Sequence, residues 1–454
     1  MSASNLNRRT FLKSASALPL LAAGGAGLDI FAPRSRASDA SEPFESANPK
    51  IREARELSVA LLKPSARDLS RGLALHAEAL VVDAYGFAPR AAVDGVKFTE
   101  AVESGAPEAE LSDLREEMSM TRWATDAAER AEFLDAMRCA GVTCIFQNAG
   151  EEGSDPLRLI KRLARFTYAT DLAREDCAKA VVPREVEEAK KRGRHCLLFS
   201  GNGVPLRQEW ESTRDELRMI RIFHQLGIRM MHLTYNRRNP IGDGAGEPGN
   251  AGLSDFGHAA VVELNRCGVI VDVAHSGWRT SMEAARASQK PMVASHSACA
   301  GLYSHFRAKP DDVFKAICDT GGYLGVCLIP RFLGGDGDIV SFLDQIDYAV
   351  KKFGAEHVAI GTDVAHVSRN EEAERSKIPK RTTPNPRLTL GSERWEHLWP
   401  ADNFVPKPHA ERSLAWTNWP LFTVGMVQRG HSEEDIRKIL ALNVMRVLAA
   451  NQLH

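Results

Sequence analysis

The chain has 454 residues, with 58 Lys+Arg against 59 Asp+Glu, a formal net charge of −1 and 44% hydrophobic residues. That length suits two or three average domains or one large α/β barrel. The balanced charge gives no basic footprint for nucleic acid and no acidic tail, and no apolar run in the body approaches the ~20 residues of a membrane span.

The chain opens on an address. Asn7-Arg8-Arg9-Thr10-Phe11-Leu12-Lys13 precedes a weakly hydrophobic run from Ala15 to Gly27, the pattern of a bacterial twin-arginine export signal. Ser35-Arg36-Ala37, or a site near Ala40, offers small residues for cleavage. Residues 1–40 are therefore expected to be signal and linker, the protein to be periplasmic or otherwise exported, and the twin-arginine translocase to be a transient partner. Residues 41–79 are expected to form an N-terminal helical extension, with helix patterning over Pro49–Ala79.

From residue 80 onwards, short apolar runs alternate with amphipathic stretches. The runs are Leu80–Asp83, Thr143–Gln147, Cys196–Ser200, Arg229–Leu233, Val269–Ala274, Met292–Ser295, Tyr323–Leu328 and Val358–Thr362. Near-continuous rather than alternating hydrophobicity indicates strands buried on both faces, hence a parallel sheet. Eight strand–helix units over 80–454 predict an α/β fold, a closed (β/α)8 TIM barrel, with an open doubly wound sheet as the alternative. Polar, Pro/Gly-punctuated stretches at Asn239–Gly252 and Pro379–Pro408 predict long loops, the second an insertion near 379–410 carrying Trp395, His397 and Trp399. The eight cysteines form no CxxC pair and sit in apolar runs, so they read as core packing rather than a zinc knuckle.

Reactive side chains of such a barrel gather where its strands end. Val271-Asp272-Val273-Ala274-His275 and Val293-Ala294-Ser295-His296 each end an apolar run on histidine, one unit apart. Two imidazoles on successive strand ends suit a shared metal or anion site. Ile360-Gly361-Thr362-Asp363 ends the last run on a carboxylate, a candidate ligand, base or ammonium partner. Arg307, on the loop after His296, reads either as a clamp for a substrate carboxylate or as a solvated loop arginine. His232, Tyr235, Tyr85 and Ser200 end other runs.

Gly252-Leu253-Ser254-Asp255-Phe256-Gly257, with Val262 through His275, resembles the signature stretch of the membrane (renal) dipeptidases. The likeness continues through Ser295-His296-Ser297-Ala298 to Arg307, Leu233-Thr234-Tyr235-Asn236, Gly361-Thr362-Asp363 and the C-terminal Arg429–Leu448, and covers roughly residues 78 to 450. The resemblance implies a metal-dependent hydrolase barrel of amidohydrolase type that cleaves dipeptides with two zinc ions, and a homodimer. By position it implies His275 and His296 as ligands of the second metal. It also implies Arg307 as carboxylate binder, with Tyr235 and Asn236 beside the substrate, and Asp363 as the catalytic carboxylate.

The sequence departs from that pattern at the first metal. Tyr85 and Phe87 stand where the family has His-x-Asp, Ser200 where it has a bridging glutamate, and Gly203, Tyr235 and Ala365 at further expected polar positions. Phenylalanine has no donor atom, and neutral hydroxyls bind zinc weakly. The expectation is an exported hydrolase of a dipeptide or similar small amide with at most one zinc, held by His275 and His296 plus Asp363 or Asp83. The alternative is a non-hydrolytic homologue that binds or matures an amino-acid-like or peptide ligand. Metal-free acid/base chemistry using Tyr85, Tyr235, His232, His275 and His296 stands as a third reading.

Overall fold

The computed structural model describes residues 44–150, 155–207, 209–379, 400 and 402–453. The export segment and Trp395, His397 and Trp399 of the insertion lie outside the described residues. Nine strands form one parallel sheet: β1 (Val82–Gly86), β2 (Cys144–Asn148), β3 (Cys177–Lys179), β4 (His195–Gly201), β5 (Ile228–His232), β6 (Ile270–Asp272), β7 (Val293–Ser297), β8 (Tyr323–Val326) and β9 (Val358–Ile360). Their order is β1-β2-β4-β5-β6-β7-β8-β9, with helices between successive strands, and this is the (β/α)8 barrel.

The eight runs picked from the sequence are the eight barrel strands. The ninth, β3, pairs with residues His195–Leu197 of β4, while β5 pairs with Phe199–Gly201. Because β2 takes one edge of β4 over Cys196–Ser200, β3 fills the part of the other edge that β5 leaves free. Cys-Ala-Lys has no apolar run to announce it.

The strands are buried on both faces, and the period of two sorts their side chains. Val82, Ala84, Phe146, Leu198, Met230, Ile270 and Tyr323 form an inner cluster with Val444 and Leu448 of the C-terminal helix. Val81, Ile145, Leu197, Met231, Val271 and Leu324 belong to the outer layer beneath the helices. Two residues beyond Met230 and Ile270 along their strands come His232 and Asp272, so the same inner face carries both to the mouth.

The barrel closes between β9 and β1. Asp363 N–H donates to Tyr85 O at 3.0 Å. Asp83 Oδ1 accepts from Thr362 N–H at 2.9 Å, and its Oδ2 accepts from Thr362 Oγ1 at 2.6 Å and Trp416 Nε1 at 3.0 Å. Asp83 is thus a seam residue, which corrects its reading as a possible metal ligand. Burial pushes its carboxyl up to about 7 despite donors from Thr362, Trp416 and Tyr85 that favour the anion. The folded chain therefore holds a proton that the unfolded chain releases at lower pH, so this group's contribution to stability is lost as pH rises from about 4 towards 7. In urea titrations across that interval, the stability difference between wild type and Asp83→Asn is expected to shrink as pH rises. A constant difference would contradict the assignment.

The predicted helical extension is two helices, α1 (Pro49–Leu62) and α2 (Ala66–Glu78), parted at Lys63, which adopts a left-handed conformation before Pro64. Ser65 caps α2 by accepting from Asp68 N–H. α2 packs on the helix Trp419–Gln428, where a Cβ at Gly72 would fall 2.6 Å from Val424 Cα. The helix expected after Ser254 runs Asp255–Cys267, capped by Ser254 and ended by Gly268 in the left-handed region. All eight cysteines are buried and free. Among the described residues no helix is long and apolar enough to cross a membrane.

Candidate metal and carboxylate site at the barrel mouth

Four polar side chains on consecutive strand ends meet at the mouth: His232 after β5, Asp272 and His275 at and after β6, and His296 on β7. All are buried. His232 Nε2 lies 2.7 Å from Asp272 Oδ2, and His296 Nε2 lies 2.9 Å from His275 Nε2. One ligand atom from each of His232, Asp272 and His296 falls within 4.8 Å of the others.

The partners of the far ring nitrogens set what faces inward. His232 Nδ1 donates to Asn202 Oδ1, and His275 Nδ1 donates to Asn236 Oδ1 at 2.9 Å. Both rings therefore turn an Nε2 lone pair to the centre when neutral. Arg307 Nη2, which can only donate, lies 3.3 Å from His275 Nε2 and agrees with that tautomer. His296 Nδ1 pairs with Ser295 Oγ at 2.8 Å. Such outer contacts are how proteins fix metal-ligating imidazoles.

Electrostatics supply the matching charge states. Burial, and then the Arg307 guanidinium, hold His275 and His296 well below the usual histidine value, so both are neutral. Burial opposes ionisation of Asp272, but the His232 ring and the Ser295 N–H outweigh it and keep the carboxyl below its ordinary value. Its Oδ1 accepts from Ala274 N–H at 2.9 Å and Ser295 N–H at 3.1 Å, which leaves Oδ2 for the centre. Oδ2 and His232 Nε2 lie 2.7 Å apart, and neither has another hydrogen-bond partner among the described residues. The imidazoles of His232 and His296 and the Asp272 carboxylate are donor types that fit a divalent ion, which takes three protein ligands at catalytic positions.

Two tyrosines wall this centre. The Tyr85 ring stacks on His296 with centroids 4.0 Å apart, and Tyr235 stacks on His275 at 4.2 Å. Phe87 lies beyond, 6.3 Å from Tyr85, and Ser200 Oγ donates to the Gln147 carbonyl at 3.2 Å. Asn236, expected beside the substrate, gives its Oδ1 to His275 and is held at φ 52°. Its backbone is gripped by the Asn239–Gly252 loop, where Gly246 N–H donates to Asn236 O at 2.7 Å. A Cβ at Gly244 would come within 2.2 Å of the Asn236 carbonyl carbon, so this approach requires glycine.

Arg307 is buried, its Nη1 donates to Ala274 O, and no carboxylate pairs with it among the described residues. Burial lowers its pKa, while Asp363 is the strongest charge opposing that. Asp363 itself is half-buried, with φ 57°, an unusual conformation for a residue other than glycine and one that clusters at functional sites.

Asp272 was missed as a site residue because it sits inside an apolar run. The available signal was the cost of burying a carboxylate there without a partner. A second acidic group, Asp336, Asp338 and His409, also comes together. There Asp338 Oδ1 accepts from Val340 and Ser341 N–H and caps the helix Ile339–Phe353.

A sequence model of the membrane dipeptidases, peptidase family M19, matches residues 73–379. The chain belongs to this family. Among curated membrane dipeptidase relatives, dipeptidase aclJ of Aspergillus oryzae is 33% identical over 151 residues, 32% of this chain and 36% of that protein. Dipeptidase verJ of Clonostachys rogersoniana is 26% identical over 267 residues, 58% of this chain and 57% of the relative. The match thus spans about a third to three-fifths of these relatives' length. Among solved structures, an amidohydrolase from Pseudomonas aeruginosa superposes with TM-score 0.60 at 22% identity, covering 84% of this chain and 98% of that one. The probable dipeptidase PvdM of the same organism gives 0.59 at 17%, covering 85% and 98%. These superpositions establish the shared barrel.

Proposed function

We propose that this membrane dipeptidase relative hydrolyses a dipeptide or similar small amide at a single metal position formed by His232, Asp272 and His296, with His275 alongside. The observation that carries this reading is the convergence of two buried imidazoles and one carboxylate, whose ligand atoms lie within 4.8 Å of one another. A divalent ion bound there, zinc by the donor set, would supply Lewis acidity to the scissile amide.

The chain's own groups account for the rest. Arg307, a buried guanidinium without a carboxylate partner among the described residues, receives the C-terminal carboxylate of the peptide. Asp363 handles the substrate amino group and its proton. Asn202, Asn236 and Ser295 hold the imidazole orientations. Tyr85 and Phe87 leave the first-metal position of the family without imidazole or carboxylate, so one ion is the expected complement.

Purified, unchelated protein is expected to carry about one equivalent of divalent metal and to hydrolyse dipeptides, with activity lost on chelation and restored by zinc. Turnover that survives complete metal removal would refute the reading. The Arg8-Arg9 segment supports export by the twin-arginine route. Residues 1–40 fused to a reporter should be exported, and Arg8→Lys/Arg9→Lys should retain the reporter in the cytoplasm.

A further inference from the structure

A cavity of about 530 Å³ opens beside the mouth on the β1/β2 side, where Phe87 and Gln147 form part of its wall. Four arginines line it, Arg90, Arg115, Arg162 and Arg375, against two carboxylates, Glu116 and Glu371. Those carboxylates are already committed. Glu116 meets Arg162 at 2.6 Å, Arg165 at 2.9 Å and Arg158 at 3.4 Å, and Glu371 meets Arg375 at 3.6 Å.

Arg90 and Arg115 make no ion pair within 4.0 Å of a carboxylate among the described residues, although Asp363 and Glu116 lie near enough to favour the charged form of Arg90. Each guanidinium lies over an aromatic ring instead, Arg90 4.8 Å from the Phe87 centroid and Arg115 4.9 Å from that of Phe98. Arg162 also turns a buried Nε without a partner into this region. A concave site with surplus, pre-positioned guanidinium groups is built for a carboxylate or phosphate oxygen pair. Trp123, Phe166 and Met120 supply an apolar lining for the methylene stem of such a group.

We infer that this cavity is a specificity pocket for an anionic side chain on the N-terminal residue of the peptide substrate, an acidic residue, with Arg90 and Arg115 as its binding groups. Arg307 follows β7, and the cavity adjoins β1 and β2 on the other side of the mouth, so the two lie on different sides of the proposed metal position. The inference rests on the mouth being a peptide site, and the test separates the two.

Turnover of Glu-Ala and its neutral isostere Gln-Ala is compared for the full chain and for the Arg90→Gln/Arg115→Gln variant, with calorimetric binding of glutarate and inorganic phosphate alongside. Both arginines reach solvent, and thermal unfolding of the variant alongside wild type checks that it folds. The wild type is expected to prefer Glu-Ala about tenfold or more in kcat/KM, the effect of one hydrogen bond to a charged group. The variant should lose that preference, read as the ratio of kcat/KM for Glu-Ala to that for Gln-Ala, so that any change common to both substrates cancels. Equal turnover of the two dipeptides by wild type, or a preference retained by the variant, would overturn the pocket. If neither dipeptide is turned over, the hydrolase reading fails and glutarate decides the pocket alone. Glutarate binding that the variant loses upholds it, and absent or variant-insensitive binding overturns it. Phosphate binding tighter than glutarate would overturn the carboxylate assignment in favour of a phosphorylated ligand.

Discussion

Replacing Arg307 with alanine is expected to reduce kcat/KM for a dipeptide by roughly 30- to several-thousand-fold, while a C-terminally amidated dipeptide loses less than about threefold. The range follows from losing one partner of a buried hydrogen-bonded charge pair, about 2–5 kcal/mol, at tenfold per 1.4 kcal/mol. The contrast between acid and amide is the informative measurement. Arg307 also donates to His275 Nε2 and Ala274 O, so a purely structural role would penalise both substrates equally. Stability should move differently from activity. The guanidinium is buried with no carboxylate partner among the described residues, so its removal relieves a desolvation cost and thermal unfolding should not shift down by more than a few degrees.

The second large effect is expected at Asp272. Asp272→Asn keeps the shape but removes the only carboxylate among the three converging ligand groups. Metal content after dialysis should fall well below one equivalent, and dipeptide turnover should drop by at least about a thousandfold, because two imidazoles alone do not complete a three-ligand site. The variant should also be less stable by about 1–3 kcal/mol when metal-free, since an amide accepts more weakly than the carboxylate from the buried Ala274 and Ser295 N–H groups. Metal analysis and urea unfolding on the same preparation check both parts. Full metal occupancy in this variant would place the ion elsewhere, with His275 and His296 as the first candidates.

Much of this architecture is written in local pattern. A strand buried on both faces must be apolar at nearly every position, so the eight barrel strands stand out as runs such as Val269–Ala274 and Val358–Thr362. A histidine or aspartate ending such a run has one place to go, the C-terminal mouth, and this is why His275, His296 and Asp363 could be named from their positions, whereas Arg307 came from the family resemblance. Short β3 escaped notice because three residues pairing with one free stretch of edge need no hydrophobic signature of their own.

What local pattern cannot express is which polar residue faces which. Asp83 and Asp272 both sit in apolar runs near strand ends and look alike as sequence. In the fold Asp83 is enclosed by Thr362 and Trp416 at the barrel seam, while Asp272 turns one oxygen to His232 at the centre of the mouth. Those partners lie 279, 333 and 40 residues away along the chain. The sequence by itself determined the eight buried strands and placed the candidate histidines at strand ends, because burial and periodicity act over a few residues. Tertiary structure alone decided the membership of the ligand group, the tautomers set by Asn202 and Asn236, and the arginines left without ion pairs beside the mouth. Each of those depends on short contacts between side chains that only closure of the barrel brings together.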